Sequence, residues 1–241
     1  MKNEPTLVQK LAAEFLGTAL LTLIGAGSVT AANTLEGGSG AKFSFADLGV
    51  IALAFGLIIV ALVYTIGKVS GCHINPAVTI ALAATGRIDW VTAVEYIVAQ
   101  YIGALLGALG ILVMFGTGAA QHSILGVTSY GANVSWFQAI VTEAIGTFIL
   151  VFTIFGVAVD GRAPVGWAGL VIGLVVAAII FVLGPVTGAV INPARALGTT
   201  LIQAWFGGKA FYDQILVYII GPVVGGLLGA FAYVYVANPE K

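Results

Sequence analysis

Gly188-Ala189-Val190-Ile191-Asn192-Pro193-Ala194-Arg195 is a short polar interruption between two apolar runs. Asparagine is a strong helix N-cap and proline suits the first helical position, so Asn192-Pro193 predicts a helix start. The apolar run from Ala168 to Leu183 precedes it, and only a short apolar piece, Ala196 to Ala204, follows. About ten residues at 1.5 Å rise cover roughly 15 Å of a bilayer core about 30 Å thick, so the piece reaches half-way. Gly71-Cys72-His73-Ile74-Asn75-Pro76-Ala77 repeats the arrangement, with the half-length tail Val78 to Ala84. Two half-helices in corresponding places of two halves point to a central solute site.

Composition agrees with a bilayer setting. Of 241 residues, 60% are hydrophobic and 8% charged, far from soluble averages. A net charge of -1 without a basic run gives no footprint for nucleic acid. Cys72 is the only cysteine, so there is no intrachain disulfide, and with two histidines in unrelated segments it forms no zinc set. No metal or cofactor is expected, and no nucleophile with a base partner suggests an enzyme. A cleaved leader is the simplest reading of Lys2 and Lys10 ahead of an apolar run. That run, Leu11 to Ala32, is too long for one, and five further spans would anchor the chain regardless.

Those spans are about Leu48 to Ile66, Val91 to Phe115, Phe137 to Val159, Gly166 to Leu183 and Gln214 to Val236. The expected fold is all-α, with six transmembrane helices plus two re-entrant half-helices. Loops are expected at Asn33 to Asp47, at the connector Gly116 to Ser135, which contains His122, and at the turn Asp160 to Pro164.

An internal repeat organises the spans. At an offset of 192 − 75 = 117, Gly49 to Ala77 aligns without a gap to Gly166 to Ala194. Glu14-Phe15-Leu16-Gly17-Thr18 matches Glu143-Ala144-Ile145-Gly146-Thr147, and the glycine steps Gly103/Gly107 match Gly225/Gly229. The repeats, 1–122 and 123–241, hold three spans each. An odd number places them in opposite orientation, an inverted repeat within one domain. The basic residues Lys2, Lys10, Lys68, Arg87, Arg162 and Lys241 against Lys42 and Lys209 put both termini in the cytoplasm.

Irregular backbone at membrane depth is tolerated only where protein or a watery cavity satisfies it. The carbonyls of Gly71, Cys72, His73 and of Gly188, Ala189, Val190 are therefore expected to form two acceptor ladders lining a pore. Asn75 and Asn192 cap their own helices and present amide N–H donors to it. Both helix N-termini, each carrying roughly half a positive charge, face one spot and repel cations. The alternative is that Asn-Pro only caps a kinked packing helix, but the duplication at an aligned position favours a functional pair.

Glu14 and Glu143 lie inside spans, where an ionised group costs about 2.5–3.5 kcal/mol. They are expected to brace the buried loops by accepting hydrogen bonds from the backbone or from His73. A proton relay is disfavoured, because no chain of acids joins them. Arg195 has Val78 as its aligned mate, so one charge marks one side of the passage, the outer side in this topology. Its alternative, a snorkelling side chain, is disfavoured by its place on the first turn of an inward helix. Cys72 is expected to present its thiol to the inner vestibule. By residue physics alone Phe55 and Ile180 read as packing.

The paired Asn75-Pro76-Ala77 and Asn192-Pro193-Ala194, the latter extended by Arg195, together with the Glu-x-x-Gly-Thr starts, resemble the aquaporin (major intrinsic protein) family over nearly the whole chain. The resemblance implies a right-handed helical bundle, one pore per subunit and a homotetramer in the plasma membrane. It places a selectivity filter on Phe55, Ile180, Ala189 and Arg195. Strict water channels carry histidine where this chain has Ile180. Glycerol facilitators usually carry glycine at that position, an aromatic at that of Ala189, and aspartate at that of Ala196. The set is similar to archaeal-type aquaporins, and loss of an imidazole implies a wider, less polar filter. The expected function is a passive channel for water and small uncharged solutes that excludes ions and protons. The alternatives are a glycerol or small neutral solute facilitator and, from a different class, an ion-coupled secondary transporter.

Overall fold

The computed structural model describes residues 4–39, 44–122 and 125–237. Lys2, Lys42 and Lys241 of the charge asymmetry lie outside the described residues, as does the side chain of His122. Helix α1 (Leu7–Leu21) passes through a π-turn (Thr22–Ala26) into α2 (Gly27–Ser39), followed by α3 (Phe45–Ser70), α4 (Pro76–Ala84) and α5 (Trp90–Phe115). The short α6 (Thr117–His122) leads to α7 (Trp136–Ile154), which ends in a second π-turn (Phe155–Val159). Then come α8 (Ala168–Thr187), α9 (Pro193–Trp205), a 3-10 turn (Tyr212–Gln214) and α10 (Val217–Ala237). No strand occurs among the described residues. Among the described residues six helical stretches are long and apolar enough to cross a membrane.

The helices are longer than hydropathy suggests, because polar caps extend them past the apolar stretch. Ser44 and Asp47 form a capping box that starts α3 three residues before Leu48, and α3 runs on through Lys68 to Gly71. The helix after Ala32 continues to Ser39, so most of the described part of the expected loop Asn33 to Asp47 is helical. The connector likewise contains α6. Pro185 lies inside α8, near its end, and does not stop it until Gly188.

Close helix crossings rest on glycines whose missing side chains admit the neighbouring backbone. A Cβ on Gly103 of α5 would stand 2.2 Å from the carbonyl oxygen of Phe15 in α1, and one on Gly225 of α10 would stand 2.0 Å from that of Ala144 in α7. Between α3 and α8 the fit is reciprocal: a Cβ on Gly56 would meet Gly173 O at 2.7 Å, and one on Gly173 would meet Gly56 O at 2.4 Å. The short helices cross over. Helix α4 packs on α10, and α9 packs on α5, so each half of the chain holds the other's short helix. The outward faces carry large exposed apolar side chains such as Val91, Val113 and Phe137, the surface a bilayer covers.

Candidate functional site: two re-entrant segments and the passage between them

The two segments that feed α4 and α9 share an unusual backbone. Gly71 (φ 90°), Cys72 (52°) and Ile74 (43°) in the first, and Gly188 (83°), Ala189 (47°) and Ile191 (44°) in the second, are left-handed. Glycine takes this freely, but a side-chain-bearing residue loses roughly 1–2 kcal/mol, and a β-branched one is crowded further. Four such residues persist only if the surroundings hold them.

Two buried carboxylates hold them. Glu14 Oε1 accepts from Ser70 Oγ (2.6 Å) and His73 N (2.9 Å), and its Oε2 from Ile74 N (2.6 Å) and Gln100 Nε2 (2.8 Å). Glu143 Oε1 accepts from Thr187 Oγ1 (2.6 Å) and Val190 N (3.0 Å), and its Oε2 from Ile191 N (2.7 Å). Both glutamates are fully buried, and charge-assisted bonds to backbone N–H groups are the main means of offsetting that desolvation. His73 serves Glu14 through its backbone; its ring lies against Tyr96, with Nδ1 3.2 Å from Thr79 Oγ1.

At the segment ends the asparagines cap as their sequence implies. Asn75 Oδ1 accepts from Ala77 N, and Asn192 Oδ1 from Ala194 N and Arg195 N. Each amide also reaches across: Asn75 Nδ2 donates to Ile191 O (2.7 Å) and Asn192 Nδ2 to Ile74 O (2.8 Å). One amide N–H of each is thus committed to the opposite segment, which narrows the expectation that both face a solute. An amide has two such donors, so one remains on each side.

A cavity of about 350 Å³ runs along this junction. Gly71, Cys72, His73, Asn75, Ala189, Val190 and Asn192 line it, facing an apolar wall that includes Leu21, Ile59, Val63, Leu150 and Val176. Its lining also includes Arg87, Val159 and Arg195. A second cavity, of about 330 Å³, includes Gly188 in its lining. Three side chains belong to both: Phe55, Ile180 and Arg195. Phe55 and Ile180, which residue physics alone leaves as packing, therefore stand with Arg195 where the two spaces adjoin; Ala189 borders the first cavity. The carbonyls of Gly71, Cys72, His73, Gly188, Ala189 and Val190 accept no backbone hydrogen bond among the described residues.

Arg195 is 2% exposed, with Nη1 3.3 Å from Thr128 Oγ1, Nε without a partner among the described residues and Cζ 5.3 Å from the centre of the Phe55 ring. Its fork thus keeps donors free, while the ring face takes part of its charge.

Several supporting residues escaped the sequence reading. Ser70 and Thr187 tie the carboxylates to the helix ends, and Tyr96 and Tyr218 donate to the carbonyls of those two residues at 3.0 Å each. The repeat carries their signal, since 187 − 70 = 117 and 218 − 96 = 122, the latter being the offset of Gly103 to Gly225. Gln100, a fully buried amide inside a span, also contacts Thr79 at 2.9 Å. Thr128 had no signal, because it lies in a connector without periodicity.

The passage has relatives. The family model described as major intrinsic protein matches residues 1–233. Aquaporin AqpM of Methanothermobacter marburgensis is 42% identical over 243 aligned positions, covering 97% of this chain and 99% of that protein. Probable aquaporin AqpM of Archaeoglobus fulgidus is 44% identical, covering 97% and 98%. Among solved structures, the aquaglyceroporin from Plasmodium falciparum superposes with a TM-score of 0.84 at 27% identity, covering 96% of this chain and 97% of that one. On fold, paired motifs and full-length similarity together, this chain is a multi-pass membrane protein belonging to the major intrinsic protein family.

Proposed function

We propose that the chain is a passive transmembrane channel for water, not an enzyme, and that it excludes ions and protons. The observation that carries this reading is the reciprocal bonding of Asn75 and Asn192 across the two segments, at the middle of a cavity lined by both. It brings two helix N-termini to one point, where their partial positive charges oppose a cation and leave a neutral molecule unaffected. The remaining amide donors would hold a passing water by its oxygen, and the free carbonyls on either side would accept its hydrogens in turn. Replacing hydration step by step along a single file is how such a pore conducts without binding tightly. Phe55, Ile180, Ala189 and Arg195 act as the narrow filter, and Glu14 and Glu143 as braces for the segments.

The two halves, 1–122 and 123–241, lie in opposite orientation, the termini are cytoplasmic, and the channel works as a homotetramer in the plasma membrane. The test is osmotic shrinkage of proteoliposomes by stopped flow. Permeability well above that of bare lipid, with no proton current, is expected; permeability equal to that of lipid would overturn the reading.

A second reading, a facilitator of glycerol or other small neutral solutes, draws support from the apolar wall of the cavity, which suits the carbon backbone of a polyol while the carbonyl side takes its hydroxyls. Glycerol uptake by the same vesicles separates the two.

A further inference from the structure

The Phe55 ring, which has Arg195 Cζ 5.3 Å from its centre, also packs against a residue with no side chain. Gly25 is buried in the π-turn Thr22–Ala26. A Cβ built on it would stand 2.3 Å from Phe55 Cε1, 2.4 Å from Cδ1 and 2.7 Å from Cζ. Carbon atoms rest at about 3.5–4.0 Å, so one added methyl and this ring position exclude each other.

The π-turn is backed against its neighbours and cannot retreat. A Cβ on Gly126 of the connector would already lie 2.6 Å from Ala26 O, and one on Gly110 of α5 would lie 2.8 Å from Leu23 Cδ1. The ring would have to give way instead, and it is a ring that lines both cavities together with Arg195, whose Cζ is 5.3 Å from its centre. At the aligned positions, 55 + 117 = 172 and 25 + 129 = 154, the second half carries Ile172 and Ile154, two aliphatic side chains in place of a ring and a glycine.

We infer that Gly25 is a specificity-determining position: it is the recess that seats the filter ring, and it fixes how far Phe55 stands from Arg195. The inference rests on the channel reading given above. It makes Gly25 a positioning residue, acting on solutes only through Phe55.

The experiment compares water and glycerol permeability of vesicles containing native protein, Gly25→Ala, Gly27→Ala, Phe55→Leu and the double variant Gly25→Ala/Phe55→Leu, at equal amounts of inserted protein. Gly27 is the control, because a Cβ there would meet nothing closer than Ile111 Cγ1 at 3.5 Å. Gly25→Ala is expected to lower glycerol flux by about tenfold or more and water flux by less, as an overpacked ring intrudes on the larger solute first. Gly27→Ala keeps the native ratio, and in the double variant, where no ring remains for the methyl to displace, the ratio matches that of Phe55→Leu alone. An unchanged glycerol-to-water ratio in Gly25→Ala would overturn the inference. If Gly25→Ala fails to insert, recovery of insertion and conduction in the double variant supports the clash, and failure to recover overturns it. Native vesicles no leakier than lipid would overturn both this inference and the channel reading.

Discussion

In the first re-entrant segment Glu14 belongs to a polar cluster: Gln100 bridges it to Thr79, and Thr79 meets the His73 ring. In the second, the aligned residues of that trio are Pro222, Ala196 and Val190, and Glu143 keeps only the hydroxyl and the two backbone donors. The polarity missing there reappears across the segment as Arg195, whose mate is Val78. The shared part (glutamate, hydroxyl, tyrosine, left-handed backbone, asparagine) builds the passage. The unshared part gives its two ends different chemistry, which a symmetric pore could not have.

Removing the shared part should have the largest effect. Glu14→Ala and Glu143→Ala each strip acceptors from buried backbone N–H groups on strained residues, and a loss on the order of 3–5 kcal/mol is expected, enough to prevent stable insertion. Glu14→Ala should be at least as damaging, since it strands four donors against three. Thermal unfolding in detergent measures both, and tolerance of either would show that the segment holds its shape by other means. Arg195→Val then makes the two segments alike. It removes charged donors, whose bonds are worth about 1.5–3 kcal/mol, so glycerol uptake should change by roughly tenfold or more, and upward, as the constriction widens. Cation leak should appear in the same vesicles. Unchanged selectivity would remove Arg195 from the filter.

The architecture was legible because the bilayer imposes it. Any span must satisfy its backbone internally, so hydropathy and two Asn-Pro starts suffice to find six long helices and two short ones. The asparagine caps were legible for the same local reason. What a side chain meets across the bundle was not. Phe55 looks like any apolar residue in a span, and only the folded bundle, with α3 packed on α8, brings its ring to 5.3 Å from Arg195 Cζ. Helix ends were also missed by several residues, because caps such as Ser44-Asp47 carry a helix beyond its apolar stretch. Gln100 was the nearest miss: a lone amide inside a span should have been assigned a partner.

Gln100→Leu tests whether the cluster in the first half is structural or part of the passage. The substitution imitates the apolar second half, removing two hydrogen bonds while also removing an Oε1 that has no partner among the described residues, so the two changes partly offset. A loss of about 1 kcal/mol in stability is expected, with water and glycerol permeability unchanged. Altered selectivity would instead mean that the cluster acts on the solute through the His73 ring.

The smallest effect is expected at the exit of α7, where the second half again has what the first lacks. Asp160 caps the turn with bonds from Arg162 Nε (2.9 Å) and Tyr233 OH (2.7 Å), and Arg162 Nη2 also donates to Ala237 O (2.9 Å), tying the turn to the end of α10. In the first half the helix runs straight on, with Ala31 at the position aligned with Asp160, since 160 − 129 = 31. The bonds from Arg162 hold the Asp160 carboxyl well below the usual carboxylate range. A carboxyl depressed in the folded state contributes stability above its unfolded value, about 3.9, and loses it as pH falls through the lower folded value. Asp160→Asn should therefore lower the melting temperature slightly at neutral pH, with a deficit that is flat down to about pH 5 and closes under stronger acid as the native carboxyl is protonated. A deficit that opens or closes between pH 6 and 8 would mean that a different group controls this end of the bundle, because the Asp160 carboxyl stays ionised throughout that interval.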